Sequence, residues 1–396
     1  MIASRGRLVW TVLVFFLLWT VAGAALAAMP EPNKLTDKEI AEGWVLLFDG
    51  ESLFGWKADS RADWKVAGGV ISASQGEPGL LCTTSQFGDF VLKVDFRGAA
   101  AGNSGVFLRT VPNPTDVTTQ CYEVNIADPG VSDFPTGSIV QRRKALVAAS
   151  REWRAFELTA EGPRVLVKLD GTTINEYTDP KPLGRGLIGL QFRAGKIEFR
   201  NVKLRPLGTK SLFNGKDLSG WTSPPQSKSI CSVTPEGWLN IKNGKGDLET
   251  AGQYADFTLQ LEAFVNGKTL NSGVFLRSIP GEMMNGYECQ IQNGTKDGDR
   301  TQPQDCGTGG IFRRQNARKV IPDDFQWFSL TIHADGNHMA TWVNGYQVAD
   351  WTDDRPPHEN PRNGQRLKAG TIQIQGHDAT TDLSFRNLRI AELPKR

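Results

Sequence analysis

A string of seven residues, Asn-Ser-Gly-Val-Phe-Leu-Arg, occurs twice in the chain, at 103–109 and again at 271–277. An identical heptapeptide does not recur by chance in 396 residues, and further segments repeat around it in the same order. The matched segments are 47–50 with 212–215, 88–92 with 255–259, 122–123 with 287–288, 136–139 with 308–311, and 199–201 with 385–387. A period of about 165 residues is far too long for a solenoid. It predicts two homologous domains, which we place at 44–207 and 210–394.

Each copy has the pattern of short strands separated by turns. Residues 165–169 precede Asp170-Gly171 and residues 340–343 precede Asn344-Gly345, and both dipeptides favour tight hairpins. The one helical signal lies at 36–41, where Thr36 and Glu39 have capping-box spacing. Many short strands with the turns that 42 glycines allow predict an all-β protein of two tandem antiparallel jelly-roll sandwiches.

The first residues have the features of a signal peptide. Arg5 and Arg7 precede an apolar run at 8–19, and Ala25-Leu26-Ala27 matches a signal-peptidase site. We therefore expect residues 1–27 to be removed and the protein to be exported to the periplasm or the medium. The alternative is an uncleaved anchor, and only in that case do we expect contact with a membrane.

The charge of the chain limits the classes of partner that it can bind, and its cysteine content limits the disulfides that it can form. The chain has 45 basic and 43 acidic residues, a net charge of +2, and no basic stripe, so we expect no nucleic-acid partner. Five cysteines in an exported chain allow at most two disulfides. Cys289 and Cys306 are the favoured pair, and buried free thiols are the alternative.

Strand alternation predicts one polar sheet face in each domain, because successive side chains point to opposite faces. Val106 and Leu108 should point into the core, which leaves Phe107 and Arg109 outside. Amides, charges and flat rings together suit a sugar, whose hydroxyls need donors and acceptors. The carbohydrate-binding candidates are Asn103, Phe107, Arg109, Asn125 and Gln191 in the first copy, and Asn271, Phe275, Arg277, Gln290 and Gln375 in the second.

Structural explanations remain open for several of these residues. Arg109 and Arg277 could form ion pairs with Glu123 and Glu288 on neighbouring strands without touching any ligand. The Asn-Ser-Gly segment that begins at Asn103 could simply be a turn.

A metal site has little support in the sequence. The four histidines have no metal-ligand spacing, and we expect no cofactor. Calcium is an alternative, with Asp297, Asp299 and Asp305 as ligands, although scattered loop aspartates are usually just solvated.

The ordered motifs LFDG…GW, GDF, NSGVFLR, YE, late LQ and FRN of the first half recur in the second, with LFNG, ADF and IQ in place of LFDG, GDF and LQ. Over 44–394 this series resembles the bacterial 3-keto-disaccharide hydrolase family. The resemblance implies a concanavalin A-like jelly roll and action on, or binding of, carbohydrates outside the cytoplasm. The family's chemistry is cleavage of glycosidic bonds in sugars oxidised at C3. A C3 ketone acidifies the C2 hydrogen, so a carboxylate or imidazole base can drive elimination followed by hydration.

The resemblance also implies three catalytic positions: the glutamate of YE, an aspartate shortly after it, and a histidine after the late Leu-Gln. The first copy has Glu123 and Asp128 but Arg193 in place of the histidine. The first domain therefore lacks one member of the set.

The second copy has Glu288 and His377 but Asn293 in place of the aspartate. We expect a hydrolase or lyase acting on 3-keto-disaccharides or related glycosides, with a glutamate as the base and His377 as the acid. The second domain is favoured as the more active, because imidazole titrates near neutral pH and arginine does not. The alternative is a non-catalytic, lectin-like protein that depends on Phe107 and Phe275.

Overall fold

Two β-sandwiches follow one another along the chain in the computed structural model, which describes residues 1–2, 31–147 and 151–395. The expected signal peptide, apart from its first two residues, lies outside this described part. Within it, no helix has the length and apolarity needed to cross a membrane.

The first sandwich contains a short helix and two antiparallel sheets. One sheet of eight strands has the order β11-β10-β9-β6-β13-β4-β3, with β1 beside β13, and the other has the order β2-β5-β12-β7-β8. The elements are α1 Asp37–Glu42, β1 Val45–Leu46, β2 Trp56–Ala58, β3 Lys65–Ala67, β4 Val70–Ala73, β5 Gly79–Thr83, β6 Phe90–Gly98, β7 Asn103–Thr110, β8 Tyr122–Ala127, β9 Arg154–Glu161, β10 Arg164–Leu169, β11 Thr172–Thr178, β12 Leu187–Phe192 and β13 Ile197–Pro206.

The second sandwich repeats this topology. Its eight-stranded sheet has the order β16-β17-β28-β19-β24-β25-β26, with β14 beside β28, and its five-stranded sheet has the order β15-β18-β27-β20-β21. The strands are β14 Lys210–Ser211, β15 Trp221–Thr222, β16 Ile230–Val233, β17 Leu239–Lys242, β18 Gly246–Thr250, β19 Phe257–Val265, β20 Ser272–Ser278, β21 Tyr287–Ile291, β22 Thr295–Lys296, β23 Asp299–Pro303, β24 Trp327–Asp335, β25 His338–Val343, β26 Tyr346–Thr352, β27 Thr371–Gly376 and β28 Asp382–Glu392. The predicted tandem jelly rolls are confirmed.

Local sequence signals account for several of these boundaries. Thr36 and Glu39 form the predicted capping box at the start of α1. Asp170 and Gly171 both have positive φ, 49° and 81°, as a type I′ hairpin turn requires. Asn344 begins an equivalent turn between β25 and β26 with φ of 47°. The two predicted hairpins are therefore present.

The duplicated arginines have a different position from the one that alternation predicted. In both copies two residues of one strand lie opposite a single residue of its neighbour, so a bulge interrupts the register. Arg109 and Arg277 sit in this bulge with φ of 49°, and each side chain turns into the protein. The assignment of both arginines to the face that carries the glutamates is wrong, because the extra residue breaks the period of two.

Each of these arginines joins separate segments of its own sandwich. Arg109 donates to the carbonyls of Gly88, Gly162 and Leu183 at 2.6–2.9 Å and to Asp89 at 2.6 Å. The expected pair with the neighbouring glutamate is therefore not formed.

Arg277 repeats this arrangement in the second sandwich. It donates to the carbonyls of Ala255, Gly336 and Arg366, and to Asp256 at 3.0 Å. With four acceptors and no exposure, it is a structural residue.

All five cysteines are free thiols, and only Cys231 is partly exposed. The expected disulfide between Cys289 and Cys306 is absent. Both thiols are buried, and burial raises the pKa of Cys306 to about 12, so neither is poised to react as a thiolate.

The two sandwiches form one compact unit, which spans Pro32–Arg396. Trp342 of β25 packs among the core side chains of the first sandwich and donates its ring N–H to the carbonyl of Leu46 at 2.9 Å. Arg185 of the first sandwich pairs with Asp256 of the second at 2.7 Å. Apolar burial and ion pairs thus fix one sandwich against the other.

Candidate functional site

The outer face of the second five-stranded sheet carries an unusual number of buried polar side chains. Strand pairing aligns Glu249 with Gln373, Gln373 with Phe275, and Phe275 with Glu288 in one row across the sheet. All four are at most 5% exposed. The neighbouring row contains Asp247, Gln375, Gly273 and Gln290. Because buried polar atoms need partners, this face has to be satisfied by the protein or by a ligand.

Glu288 lies over the glycine of the duplicated string. A Cβ at Gly273 would lie 3.0 Å from both Cγ and Oε1 of Glu288, so any side chain at this position would displace the carboxylate. The preceding Ser272 donates to the carbonyl of Gln375 at 2.7 Å and ties β20 to β27. Ser272 and Gly273 of the string therefore form the surface on which the Glu288 carboxylate lies, which we call the floor of the site.

Arg362 covers Glu288 from the solvent side. Its Nη2 donates to Oε2 of Glu288 at 2.8 Å and its Nε donates to the carbonyl of Met284 at 2.9 Å. The guanidinium lies over the rings of Phe275 and Phe312 at 5.0 and 5.4 Å. Burial raises the pKa of Glu288, and Arg362, as the largest opposing contribution, pulls it back down.

Amide and acid groups surround the same carboxylate. Gln290 donates to Asn271 at 2.7 Å and to Asp305 at 3.3 Å. The side-chain oxygens of Gln290 and Gln375 have no hydrogen-bond partner, although both residues are at most 2% exposed. Two unpartnered acceptors beside a buried acid suit the hydroxyl groups of a sugar.

His377 lies at the edge of the face, directly after β27. Its side chain is 41% exposed, and Nδ1 lies 2.8 Å from Oδ2 of Asp378. The histidine lowers the pKa of Glu288 electrostatically, so the two predicted catalytic residues of the second copy are close enough to interact. No hydrogen bond joins them.

Asp247 and Glu249 hold a turn, residues 279–286, against the sheet. The amide of Met284 donates to Asp247 at 2.7 Å and the amide of Gly281 donates to Glu249 at 3.0 Å. The other oxygen of Asp247 has no partner. Burial, with added repulsion from Glu288 and Glu249, raises the pKa of Asp247 to about 7.

The first sandwich has the same floor but different surroundings. A Cβ at Gly105 would lie 3.2 Å from Glu123, and Ser104 donates to the carbonyl of Gln191 at 2.6 Å. Burial raises the pKa of Glu123 to about 7, although Arg193 and a hydrogen bond from Gln191 act against it.

Apolar side chains occupy the rest of this first face. Strand pairing places Leu80 and Cys82 where the second sandwich has Asp247 and Glu249. With Phe107 they form a small apolar cluster, against which Val117 of the loop before β8 packs. The first face therefore keeps the glutamate but offers fewer polar groups to a sugar.

Several predicted binding residues have structural partners. Phe107 and Phe275 are at most 3% exposed, so neither offers a free ring for a sugar to stack on, and the prediction that they do is wrong. Asn125 donates to Ser132 and to the carbonyl of Phe134.

The remaining predicted positions lie near the ends of the strands. Asn103 begins β7 and is half-buried. Asp128 follows the last residue of β8, half-exposed and without a hydrogen bond to Glu123. Its counterpart Asn293 is bonded to Asp324 at 3.0 Å and to Thr308 at 2.5 Å.

Four residues of the second face were not predicted. Asp247, Glu249 and Gln373 alternate along β18 and β27, so the period of two that identified Glu288 would have placed them on the same face. Arg362 belongs to the loop 353–370, where no periodicity exists. Only the greater length of this loop in the second copy distinguishes it.

The calcium alternative gains no ligand set. In the described part of the chain, no three His, Cys, Asp or Glu side chains group in a way that could hold a metal ion. Asp299 accepts hydrogen bonds from Thr301 and Gln302, whereas Asp305 bonds to Gln290 and Asn271.

A cavity of about 1150 Å³ between the sandwiches is separate from both glutamates. It is lined on one side by Cys82 and Arg185 and on the other by Asp335 and His338. Arg185 pairs with Asp335 at 3.2 Å, and His338 lies 3.1 Å from Asp350. The pair of Arg185 and Asp335 thus joins the two sandwiches at this cavity.

Comparison with known proteins identifies one family model, described as a 3-keto-alpha-glucoside-1,2-lyase-like domain, which matches residues 43–205 and again residues 208–391. No curated protein matches the chain.

Among solved structures, a putative glycosyl hydrolase from Parabacteroides distasonis is 23% identical, with 45% of this chain and 100% of that chain covered and a TM-score of 0.40. The carbohydrate-binding module CBM66 from Bacillus subtilis is 18% identical, with coverages of 38% and 94% and a TM-score of 0.31. A β-glucanase from Bacillus licheniformis is 14% identical, with coverages of 41% and 96% and a TM-score of 0.33.

Proposed function

The chain belongs to the 3-keto-alpha-glucoside-1,2-lyase-like family, a carbohydrate-active family, and on that premise we propose that its second sandwich cleaves glycosidic bonds of 3-keto-glycosides by elimination. Glu288 is the base, and the face around it binds the sugar. The observation that carries this proposal is the buried Glu288 carboxylate held over Gly273, beside two amide oxygens that have no protein partner.

The chemistry follows from the position of the ketone. Glu288 removes the proton from C2, whose acidity the C3 carbonyl increases, and the electron pair passes to the C3 oxygen. Its return forms the C1–C2 double bond as the C1–O bond breaks. The departing oxygen takes a proton from His377, which is exposed enough to exchange its own proton with water. Addition of water across the double bond then gives the free 3-keto sugar, so the net reaction is hydrolysis.

The environment of Glu288 suits a base. Burial raises the pKa of its carboxyl, and a more basic carboxylate removes a carbon-bound proton more readily. The Arg362 guanidinium keeps enough of the carboxylate ionised to act. Gln290 and Gln375 provide acceptors for sugar hydroxyls at the same depth.

The first sandwich is better suited to binding than to cleavage. Glu123 has the same glycine floor, but Arg193 stands where His377 stands in the second copy, and Leu80 replaces an acid. An arginine does not release a proton near neutral pH. We therefore assign Glu123 and Gln191 to holding a sugar, as a carbohydrate-binding module does.

The test is turnover of a 3-keto-disaccharide by the wild-type protein, Glu288→Gln and the matched Glu123→Gln. We expect Glu288→Gln to lose at least a hundredfold in kcat, as is typical when a general base is removed, and Glu123→Gln to retain kcat. Absence of turnover by the wild type, with sugar binding retained, would show that the protein is lectin-like and not an enzyme on this substrate.

We also propose that the protein is exported, because Arg5, Arg7 and the Ala25-Leu26-Ala27 site form a signal-peptide pattern. Sequencing the amino terminus of the native protein should then begin near Ala28. An intact amino terminus would support the uncleaved anchor instead.

A further inference from the structure

Arg362 reaches Glu288 from a loop that only the second sandwich has in this length. The connection from β26 to β27 comprises residues 353–370, or 18 residues, whereas that from β11 to β12 comprises residues 179–186, or 8 residues. Asp353 and Arg355 pair at 2.7 Å and anchor the start of the longer loop. The extra ten residues place Arg362 over the sheet face.

The guanidinium is fixed in place but has unused donors. It has five N–H groups, of which one bonds to Glu288 and one to the carbonyl of Met284. The remaining three have no acceptor in the described part of the protein. The side chain is 28% exposed, and two phenyl rings support its plane, so part of the side chain is accessible to a ligand.

Elimination through an enolate is favoured by a hydrogen-bond donor close to the base. When the C2 proton leaves, the electron pair moves first onto the C3 oxygen, which lies within about 2.5 Å of C2 by ordinary bond lengths. A base takes the C2 proton from about 3 Å, and a donor to the resulting oxyanion must lie about 3 Å from that oxygen. The donor therefore has to be a neighbour of the base, and Arg362 lies 2.8 Å from it.

We propose that Arg362 is a catalytic residue that stabilises the enolate oxygen at C3 and keeps Glu288 ionised before it accepts the proton. This role rests on the proposed function. The C2 proton passes to Glu288, the electron pair passes to the C3 oxygen, and Arg362 donates hydrogen bonds to that oxygen without losing a proton. The electron pair then returns from the C3 oxygen and forms the C1–C2 double bond. This expels the group at C1, which takes its proton from His377.

The charged groups around Glu288 determine how its carboxyl titrates with pH. They are Asp247 and Glu249 from β18, His377 after β27, Asp305 after β23 and Arg362. Arg362 is the cation that is hydrogen-bonded to the carboxylate, so its removal should raise the pKa of Glu288. A residue that only held the loop in place would leave this titration unchanged.

The experiment measures kcat, KM and their pH dependence on a 3-keto-disaccharide for the wild type, Arg362→Gln, Arg362→Lys and Lys368→Gln. Lys368 lies on the same loop, is 70% exposed and pairs with Glu359, so its variant is a control for loss of one positive charge. Loss of an oxyanion donor typically costs 10²–10³ in kcat.

We expect Arg362→Gln to lose about a hundredfold or more in kcat, and the acidic limb of its kcat/KM profile to move to higher pH. Arg362→Lys should have a kcat between those of Arg362→Gln and the wild type, because lysine keeps the positive charge but not the planar set of N–H donors. Lys368→Gln should match the wild type. An Arg362→Gln protein with kcat within about threefold of wild type and an unmoved limb would overturn this role, provided that Glu288→Gln is inactive. Absence of turnover by the wild type would overturn the proposed function, and this role with it.

Discussion

Replacement of Asp247 by asparagine should stabilise the second sandwich at high pH and not at low pH. Asp247 is fully buried, one of its oxygens has no partner, and burial with repulsion from two glutamates raises its pKa to about 7 from an ordinary 3.8. The folded state therefore holds the proton more tightly than the unfolded state does. The contribution of Asp247 to the free energy of unfolding is largest below pH 4 and is lost as the pH rises towards 7, because folding then requires a buried, ionised carboxyl.

The size of the effect follows from the two pKa values. A difference of about three, at about 1.4 kcal/mol for each pKa unit, corresponds to about 4 kcal/mol at pH 8. Asparagine keeps an oxygen for the amide of Met284, but a neutral acceptor is worth about 1 kcal/mol less than a charged one. We expect a net gain of about 2–4 kcal/mol at pH 8 and no gain at pH 4.

Denaturant unfolding at pH 4 and pH 8 measures this difference, with Asp297→Asn as the control because Asp297 is exposed. The control should change the free energy of unfolding by less than about 0.5 kcal/mol at either pH. If Asp247→Asn destabilises the protein equally at both pH values, Asp247 acts only as an anchor for its turn, and the argument from its burial is refuted.

Three further outcomes follow from the structure. Arg277→Met should cost about 3–5 kcal/mol in denaturant unfolding, because it leaves three carbonyls without their donor and removes one of the two arginines that pair with Asp256; unchanged stability would contradict the structural role of this arginine. Trp342→Ala should lower the free energy of unfolding by about 3–5 kcal/mol and separate the transitions of the two sandwiches, and a single transition at the wild-type midpoint would contradict the tight interface. Since no group of three His, Cys, Asp or Glu side chains that could hold a metal is present in the described residues, melting temperatures in calcium and in chelator should agree, whereas a rise of several degrees with calcium would support the calcium alternative.

The alternation of side chains along each strand predicts which face most residues occupy, and with it the position of the two glutamates. Glu123 and Glu288 lie on the face that alternation assigns to them, and the Asp170-Gly171 hairpin forms where expected. The same alternation fails at Arg109 and Arg277, because each lies in a bulge that adds one residue to its strand. A bulge depends on pairing with a strand that is distant in the sequence, β12 or β27, which no local pattern contains.

The rest of the candidate site depends on tertiary contacts. Arg362 reaches Glu288 across a long loop, and nothing in its neighbourhood in the sequence sets that direction. Phe107 and Phe275 alternate outward as predicted, yet loops from elsewhere cover both rings. The duplicated string itself proves to be a floor for the glutamate, since its serine ties two strands together and its glycine leaves room for the carboxylate.

If Glu288 removes the proton from C2, cleavage should show a kinetic isotope effect at that carbon. The rates to compare are those for a 3-keto-disaccharide with hydrogen and with deuterium at C2, in the wild type, Glu123→Gln and Glu288→Gln. Deuterium should slow the wild type and Glu123→Gln several-fold, and Glu288→Gln should cleave neither substrate. Equal rates with hydrogen and deuterium, together with retained cleavage by Glu288→Gln, would show that Glu288 is not the base.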